Sequence, residues 1–549
     1  MKGQMMNQPL LISGLLRHAE TCHADTEIVS RIVEPASGDA RFHRYGWKDL
    51  AARARQLANA LKRLGVQQDD RVGTLAWNGY RHVELYYAIS GSGAVTHTIN
   101  PRLFAEQIVW MINHAEDQVL FFDINLAPLV EQLVPQCPTV KHWVAMTDAA
   151  HLPTHNIPDL LCYETLLVAE DDAFSWPQFD ENQACCLCYT SGTTGNPKGV
   201  LYSHRSTLLH TYASALPDVL NVSACDTVLP VVPMFHVNAW GIPYAAALVG
   251  FKLVLPGPAL DGASLCELFN SESVSFSAGV PTIWLALLNH LRERQMQVPS
   301  LKRCSVGGSA CPAPLKEAFE KEYGIKLQSS WGMTETSPLG TCNSPKSRHR
   351  SLPAQAQGHI ELKAGRPPFG VELKIVNADG DALPHDGVAA GDLMVRGQWV
   401  VERYFRADSS ALVDGWFPTG DMATLDADCM LTITDRSKDV IKSGGEWISS
   451  IELEGVAMSH PAVAEAAVIG IVHPRWDERP LLIVVKRTNL EVSKEELIAH
   501  FTGRIAKWWT PDDVAFVDEL PHTATGKVHK LALRKQFAEY SLPETLQSR

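Results

Sequence analysis

The sequence predicts an α/β protein in two parts: a large layered N-terminal domain with parallel sheets and a β-rich subdomain, then a small α+β C-terminal domain. Three observations predict it. A chain of 549 residues is too long for one hydrophobic core. From Trp47 onward, apolar runs of strand length alternate with helical patterns, which is how parallel sheets covered by helices read in sequence. After residue 366 the pattern turns to strict alternation, and near Asp435 it changes again.

Taken in order, Leu50, Leu57, Leu61 and Leu64 share one face of a helix over 47–64 that Gly65 ends. Residues 71–77 read as a buried strand, 80–91 as a helix and 95–99 as a strand. Further strands are expected at 118–122, 185–190, 227–232 and 252–255. Residues 341–366 are polar and contain proline, and read as a loop or crossover. Val371, Leu373 and Ile375 alternate with Glu372 and Lys374, marking a half-exposed strand. Beyond Asp435 a strand is expected at 466–471, then a helix opened by a Ser493 and Glu496 capping box, with Leu497, Ile498, Phe501 and Ile505 inward. A basic helix ends the chain.

Composition narrows the function. The net charge of −13 with no basic block argues against a nucleic-acid or anionic-membrane partner, so an anionic substrate must be met by local cations. The N-terminus lacks a signal-peptide pattern and no apolar run reaches membrane length, so no integral membrane segment and a cytoplasmic enzyme are expected. The cysteines, including Cys185, Cys186 and Cys188, lack zinc spacing and read as reduced, mostly buried thiols.

The chemistry is concentrated in residues 189–200, YTSGTTGNPKGV. Thr190, Ser191, Thr193 and Thr194 offer hydroxyls, Gly192 and Gly195 let backbone N–H groups approach an anion, and Lys198 supplies a point charge behind Pro197. This is a phosphate loop. It differs from the Walker loop, because no Ser or Thr follows the lysine to hold magnesium.

The segment resembles the signature loop of the adenylate-forming superfamily, which includes acyl-CoA synthetases, luciferase-like enzymes and the adenylation domains of peptide synthetases. The other motifs follow in order along essentially the whole chain. VLPVVPMFHVNAWGIPY, WGMTETSPLGT and DRSKDVIKSGGEWIS look most like the fatty-acid–CoA ligases, including the 3-methylmercaptopropionyl-CoA ligases.

The resemblance implies roles residue by residue. His236 would line the junction between the α-phosphate and the thiol tunnel, although a lone histidine after a strand also has a structural role open to it. Trp240 resembles a tryptophan that gates the acyl pocket, with core packing as the equal alternative, and Val237 beside it would line that pocket. Gly307, Gly308 and Ser309 would carry adenine and the acyl chain. Thr334 would bond the α-phosphate, with Gly332 and Met333 in the same turn, and Glu335 with Thr190 would hold Mg²⁺. Trp331 stands where the family has tyrosine, which removes a hydroxyl and adds bulk beside the acyl carboxylate.

Asp421 would hold the ribose diol, with Arg436 beside it; Asp435 replaces a usual glycine. Lys438 occupies the hinge position, dividing a domain over 1–437 from a mobile one over 438–549. Ser443, Gly444, Gly445 and Glu446 would serve CoA, and Lys527 would reach the carboxylate and α-phosphate during adenylation. ATP, Mg²⁺ and coenzyme A are thus implied, with a small carboxylic acid as substrate, an acyl-AMP intermediate and no covalent enzyme intermediate. The expected acid is 3-(methylthio)propionate or a short or medium fatty acid, with general medium- or long-chain activation as the alternative. A homodimer is expected. A luciferase-like oxygenase would share the adenylation motifs, whereas a non-catalytic regulator would be expected to have lost Lys527 or Glu335.

Overall fold

The computed structural model describes residues 1, 3–35, 41–154, 156–190, 196–444, 446–488, 490–523 and 527–543, without the side chain of Glu446. Two large sheets form the N-terminal domain. One runs, from edge to edge, Leu339–Cys342, Lys326–Gly332, Arg303–Val306, Phe276–Gly279, Thr227–Pro230, Lys252–Leu255, Glu27–Arg31 and Phe42–Gly46. Its inner pairs are parallel, and its two outermost pairs are antiparallel. The other runs Leu161–Cys162, His142–Ala145, Val119–Phe122, Arg71–Leu75, Val95–Thr98, Ala184–Tyr189 and Gly199–Ser203, parallel except for the last pair.

The helices between these sheets explain why the pattern was readable. Trp47–Arg63 buries Leu50, Ala54, Leu57 and Leu61 on one stripe, and Gly65 takes the left-handed conformation, φ +83°, that stops it. Tyr80–Gly91 is buried all round, so its polar residues must find partners inside. His82 bonds Thr74 (3.0 Å), Arg81 pairs with Glu34 and Glu164, and Glu84 accepts from Arg53, Tyr45 and Tyr163.

A four-stranded antiparallel meander, Val371–Val376, Ala390–Gly397, Phe417–Leu425 and Leu431–Arg436, forms the β-rich subdomain. The C-terminal α+β domain pairs Val463–His473 with Asp477–Lys486, adds Asp513–Phe516 in parallel and the hairpin Ile441–Ser443 with Glu446–Ile448, and packs Ser450–Met458 and Lys494–His500 on the resulting core. Ser493 Oγ accepts the Glu496 N–H (3.1 Å) and Leu497 and Phe501 are buried, while Ile498 and Ile505 are partly so. The basic helix is Lys530–Gln536.

One expectation is corrected. Residues 341–366 are not simply a loop, for they hold the helices Ser347–Arg350 and Ala354–Leu362. The second buries no residue, so it has no apolar stripe to announce it. The Asn343 side chain anchors it instead, donating to the carbonyls of Ile360 and Lys363 (both 2.7 Å). All twelve cysteines are free thiols, eight of them buried. Among the described residues no helix is long and apolar enough to cross a membrane.

Candidate active site

Open parallel sheets present their functional loops at the carboxyl ends of their strands. Four of the sequence motifs leave such ends. The phosphate loop follows Ala184–Tyr189, the His236 turn follows Thr227–Pro230, Gly307 and Gly308 follow Arg303–Val306, and Thr334 and Glu335 follow Lys326–Gly332.

Ser191 to Gly195 lie outside the described residues, but the base of their loop is visible. The Thr190 N–H donates to the Lys198 carbonyl (2.9 Å), and the Lys198 N–H returns to Thr190 Oγ1 (3.3 Å). Gly199 is required by packing, since a Cβ there would stand 3.0 Å from Leu187 Cδ1 and Phe405 Cβ. The Lys198 ammonium sits 4.9 Å from the centre of the Tyr404 ring, and the Tyr404 hydroxyl donates to Glu335 Oε1 (2.7 Å). Burial pushes the Glu335 carboxyl up, opposed by the Tyr404 bond and by the charges of Arg436 and Lys198. Thr334 is buried behind it, its carbonyl taking the Tyr202 hydroxyl (2.7 Å).

Asp421, the expected ribose ligand, is buried and doubly held. It pairs with Arg436 Nε (2.9 Å) and accepts the Trp331 indole N–H (2.8 Å). The tryptophan thus supplies a donor aimed at Asp421. Its ring also occupies the space beside Gly340, where a Cβ would meet it at 2.3 Å. Gly332 abuts the Pro338 carbonyl, Met333 N donates to Thr336 Oγ1 (3.0 Å), and Ser309 is exposed.

The segment expected to line the acyl pocket holds the strained backbone. Val237, Asn238, Ala239 and Trp240 all have φ between +47° and +56°, followed by Gly241 at +77°. Left-handed conformation costs a non-glycine residue roughly 1–2 kcal/mol, so four in succession need firm support. Buried Asn238 provides it: its Oδ1 accepts from the thiols of Cys186 (3.2 Å) and Cys188 (3.5 Å) and from the Tyr86 hydroxyl (3.4 Å). Trp240 lies on Gly307, where a Cβ would come within 2.8 Å of the indole. His236 is half-buried beside a cavity of about 10 Å³ lined also by Thr98, Asn100, Tyr189 and Phe235. Burial and the Lys527 charge push His236 down to about 4, so its imidazole is neutral at physiological pH.

Lys527 reaches this site from the C-terminal domain. Its Cε passes 3.8 Å from the Cβ position of Gly308, which has φ +83°. Burial, reinforced by Arg436 and opposed by Asp421 and Glu335, pushes the ammonium down to about 8. Lys527 thus lies within electrostatic reach of Asp421, Glu335 and His236. Ser443 accepts from Arg479 (3.1 Å) and Gly444 turns at φ +60° against Trp476, whereas Gly445 and the Glu446 side chain lie outside the described residues. Lys438 is exposed in the turn between Arg436 and Ile441.

Sequence reasoning missed Tyr404, Tyr202 and Asn238. Nothing in VERYFR distinguishes Tyr404, and only the fold brings it to Glu335. It also borders a cleft of about 590 Å³ on the outer face of the loop base, with Trp110, His114, Lys198 and Arg406.

The arrangement brings the base of the Gly-rich loop with Lys198, the buried Asp421 carboxylate and Lys527 to one region, which suits nucleotide activation of a carboxylate. Comparison with known proteins agrees. The AMP-binding enzyme model matches residues 16–405, and the AMP-binding enzyme C-terminal domain model matches 452–527. The chain is 55% identical to the 3-methylmercaptopropionyl-CoA ligase of Ruegeria lacuscaerulensis, over 98% of this chain and 99% of that one. It is 52% identical to the medium-chain-fatty-acid–CoA ligase of Ectopseudomonas oleovorans, over 99% and 98%. The crystal structure of the anthranilate CoA ligase AuaEII with anthranoyl-AMP superposes with a TM-score of 0.85 at 25% identity, covering 98% and 99%. The chain accordingly belongs to the AMP-binding enzyme family and is an ATP-dependent, AMP-forming acyl-CoA synthetase, an acid–thiol ligase that works through an acyl-AMP intermediate.

Proposed function

We propose that the acid is a short or medium-chain carboxylate, with 3-(methylthio)propionate the first candidate, and that residues 438–549 turn about Lys438 between the two steps of the reaction. The observation that carries the mechanism is the seat of Lys527, beside Gly308 and within electrostatic reach of Asp421 and Arg436. A carboxylate attacks the ATP α-phosphorus, pyrophosphate leaves, and the mixed anhydride remains. Negative charge gathers at that phosphorus, and Lys527, with Lys198 and the loop N–H groups, would offset it. Asp421 and Arg436 would fix the ribose, Thr334 would bond the phosphate, and neutral His236 could exchange hydrogen bonds without adding charge.

Glu335 and Thr190 present hard oxygen donors suited to Mg²⁺. Among the described residues no group of three or more His, Cys, Asp or Glu side chains could hold a metal, so phosphate oxygens and water would have to complete the shell. When bound, the ion would neutralise phosphate charge.

Two contacts bracket Lys438 and support it as pivot. Ser437 is tied to the large domain, its N–H to Gly420 O (3.0 Å) and its Oγ to Asp392 (2.7 Å). Asp439 is tied to the small one through Arg534 (2.6 Å). A turn between them would withdraw Lys527 and bring the hairpin of Ser443, Gly444, Gly445 and Glu446 to the site. The thiol of CoA would then attack the acyl carbon and AMP would leave.

For the acid, Trp240 lying on Gly307 favours a small acyl group, as does the substrate in the name of the Ruegeria relative. Longer fatty acids are the second reading, favoured by the left-handed backbone under Trp240 and by the medium-chain substrate in the name of the Ectopseudomonas relative, since a movement that relieved the strain would shift the indole. The test is thioester and AMP formation with 3-(methylthio)propionate, butyrate, hexanoate, octanoate and palmitate. A peak in kcat/KM at the first two is expected, and a peak at octanoate or beyond would favour the second reading. A homodimer is the expected assembly, and light scattering that returned a monomer mass would remove it.

A further inference from the structure

Asp435 has no part in the chemistry above. It lies on the strand Leu431–Arg436, opposite Met422 in the meander of the large domain. Its carboxylate is buried and bridges forward across the pivot: one oxygen accepts the Arg436 N–H (2.7 Å), the other the Ser450 N–H (2.6 Å). Ser450 opens the helix Ser450–Met458, whose Leu453 and Ala457 belong to the C-terminal core with Val463, Val468 and Leu482. A carboxylate at a helix N-terminus meets unpaired N–H groups and the positive end of the helix dipole. A second bond joins the same two segments, from Ser449 Oγ to the Thr434 carbonyl.

Behind this contact stands Lys530, which donates to Glu454 Oε1 (2.7 Å) and Ser450 Oγ (2.5 Å) and attracts the Asp435 charge. Glu454 also accepts the Val468 N–H (2.8 Å). Lys530, Glu454, Ser450 and Val468 all lie beyond Lys438 and would travel together when the small domain turns. Asp435 would stay behind, losing the Ser450 N–H and the neighbouring ammonium while its burial changes. Its bonds therefore exist in the orientation that seats Lys527.

We propose that Asp435 is a positioning residue that latches the C-terminal domain in the adenylating orientation, so that it biases the enzyme toward the first half-reaction without touching substrate. This rests on the reading of Lys438 as pivot. The latch offsets the cost of burying the Lys527 charge before ATP arrives, a cost visible in that lysine's lowered proton affinity.

The test separates the half-reactions in the full-length enzyme. Adenylation is read as acid-dependent ATP–pyrophosphate exchange without CoA, and thioester formation as the reaction of synthetic acyl-AMP with CoA. Asp435→Ala is expected to lower the ratio of the first rate to the second by about tenfold, the order expected for losing a hydrogen bond to a charged group. Asp435→Asn keeps an acceptor oxygen and should fall between. Should Asp435→Ala fail to fold, Asp435→Asn and Ser449→Ala carry the same comparison, each with a smaller drop in the ratio. An equal loss in both half-reactions, or an unchanged ratio in the folded variants, would overturn the latch. Lys527→Ala run in parallel tests the foundation: loss confined to adenylation keeps the pivot reading whatever Asp435 does, whereas equal loss in both steps overturns that reading and the latch with it.

Discussion

The two halves of the site are built differently. On the large-domain side the charged groups hold one another: Asp421 with Arg436 and Trp331, and Glu335 with Tyr404 under the Lys198 ammonium. The small domain contributes Lys527, whose carbonyl accepts the Thr523 N–H (2.7 Å), while the His529 N–H donates to the Pro521 carbonyl (2.7 Å). The large-domain groups are thus fixed by one another, and under the proposed turn about Lys438 the Lys527 cation would be detachable. A buried ammonium pushed down to about 8 is poised for an anion and strained without one.

The largest expected effect breaks the detachable half. Lys527→Ala should slow adenylation by about 10²- to 10³-fold, the usual cost of one preorganised charge donor, and leave thioester formation from acyl-AMP within a few-fold. Removing a fixed member should instead weaken nucleotide binding. Asp421→Ala strands Arg436 and the Trp331 N–H, and the KM for ATP should rise by about tenfold or more. Trp331→Phe deletes one donor to a carboxylate that keeps Arg436, so a rise of about fivefold in that KM with kcat nearly unchanged is expected from steady-state kinetics.

The pH profile sharpens the same contrast. Lys527 acts while charged, so its contribution is complete below pH about 8 and is lost as pH rises through that value. Adenylation kcat/KM should therefore fall on the alkaline side, a limb that thioester formation from acyl-AMP should lack. His236, pushed down to about 4, stays neutral over the whole range and should add no limb near neutrality.

Much of this contrast was legible in the sequence because phosphate loops and tight turns need particular residues. Glycines, hydroxyls and a lysine after an apolar strand mark residues 189–200 whatever surrounds them. The stripes of Trp47–Arg63 were visible for the same local reason. What was not legible depends on distant partners. Tyr404 comes to Glu335 across 69 residues, and Asn238 is held by cysteines about fifty residues earlier. Strand Glu27–Arg31 joins Lys252–Leu255, a pairing that no local pattern reports. Helix Ala354–Leu362 buries no residue, so the period that reveals other helices is absent from it. Asp435 could be seen beside Arg436 in its motif, but its partner Ser450 could not.

The smallest effect tests how the fixed half is itself held. Asp428, in the turn before the strand Leu431–Arg436, gathers Lys346 (2.6 Å), His349 (2.8 Å) and Arg348, and so fastens the helical segment after Cys342 to the meander. Those three partners hold its carboxyl well below the usual carboxylate range. A lowered carboxylate pKa stabilises the fold above the unfolded value, near 4, and that contribution is lost as pH falls from there toward the folded value. Lys346 and Arg348 are well exposed, so solvent screening keeps the gain small. Asp428→Asn should lower the melting temperature at pH 7 by about 2 °C, a difference that shrinks in a melt series taken below pH 4. The KM for ATP should not change, because the cluster braces the meander from outside and touches neither Asp421 nor Arg436. A raised KM would mean that the fixed half of the site is less rigid than its hydrogen bonds imply, and that Asp421 keeps its aim only while the segment beyond Cys342 is fastened down.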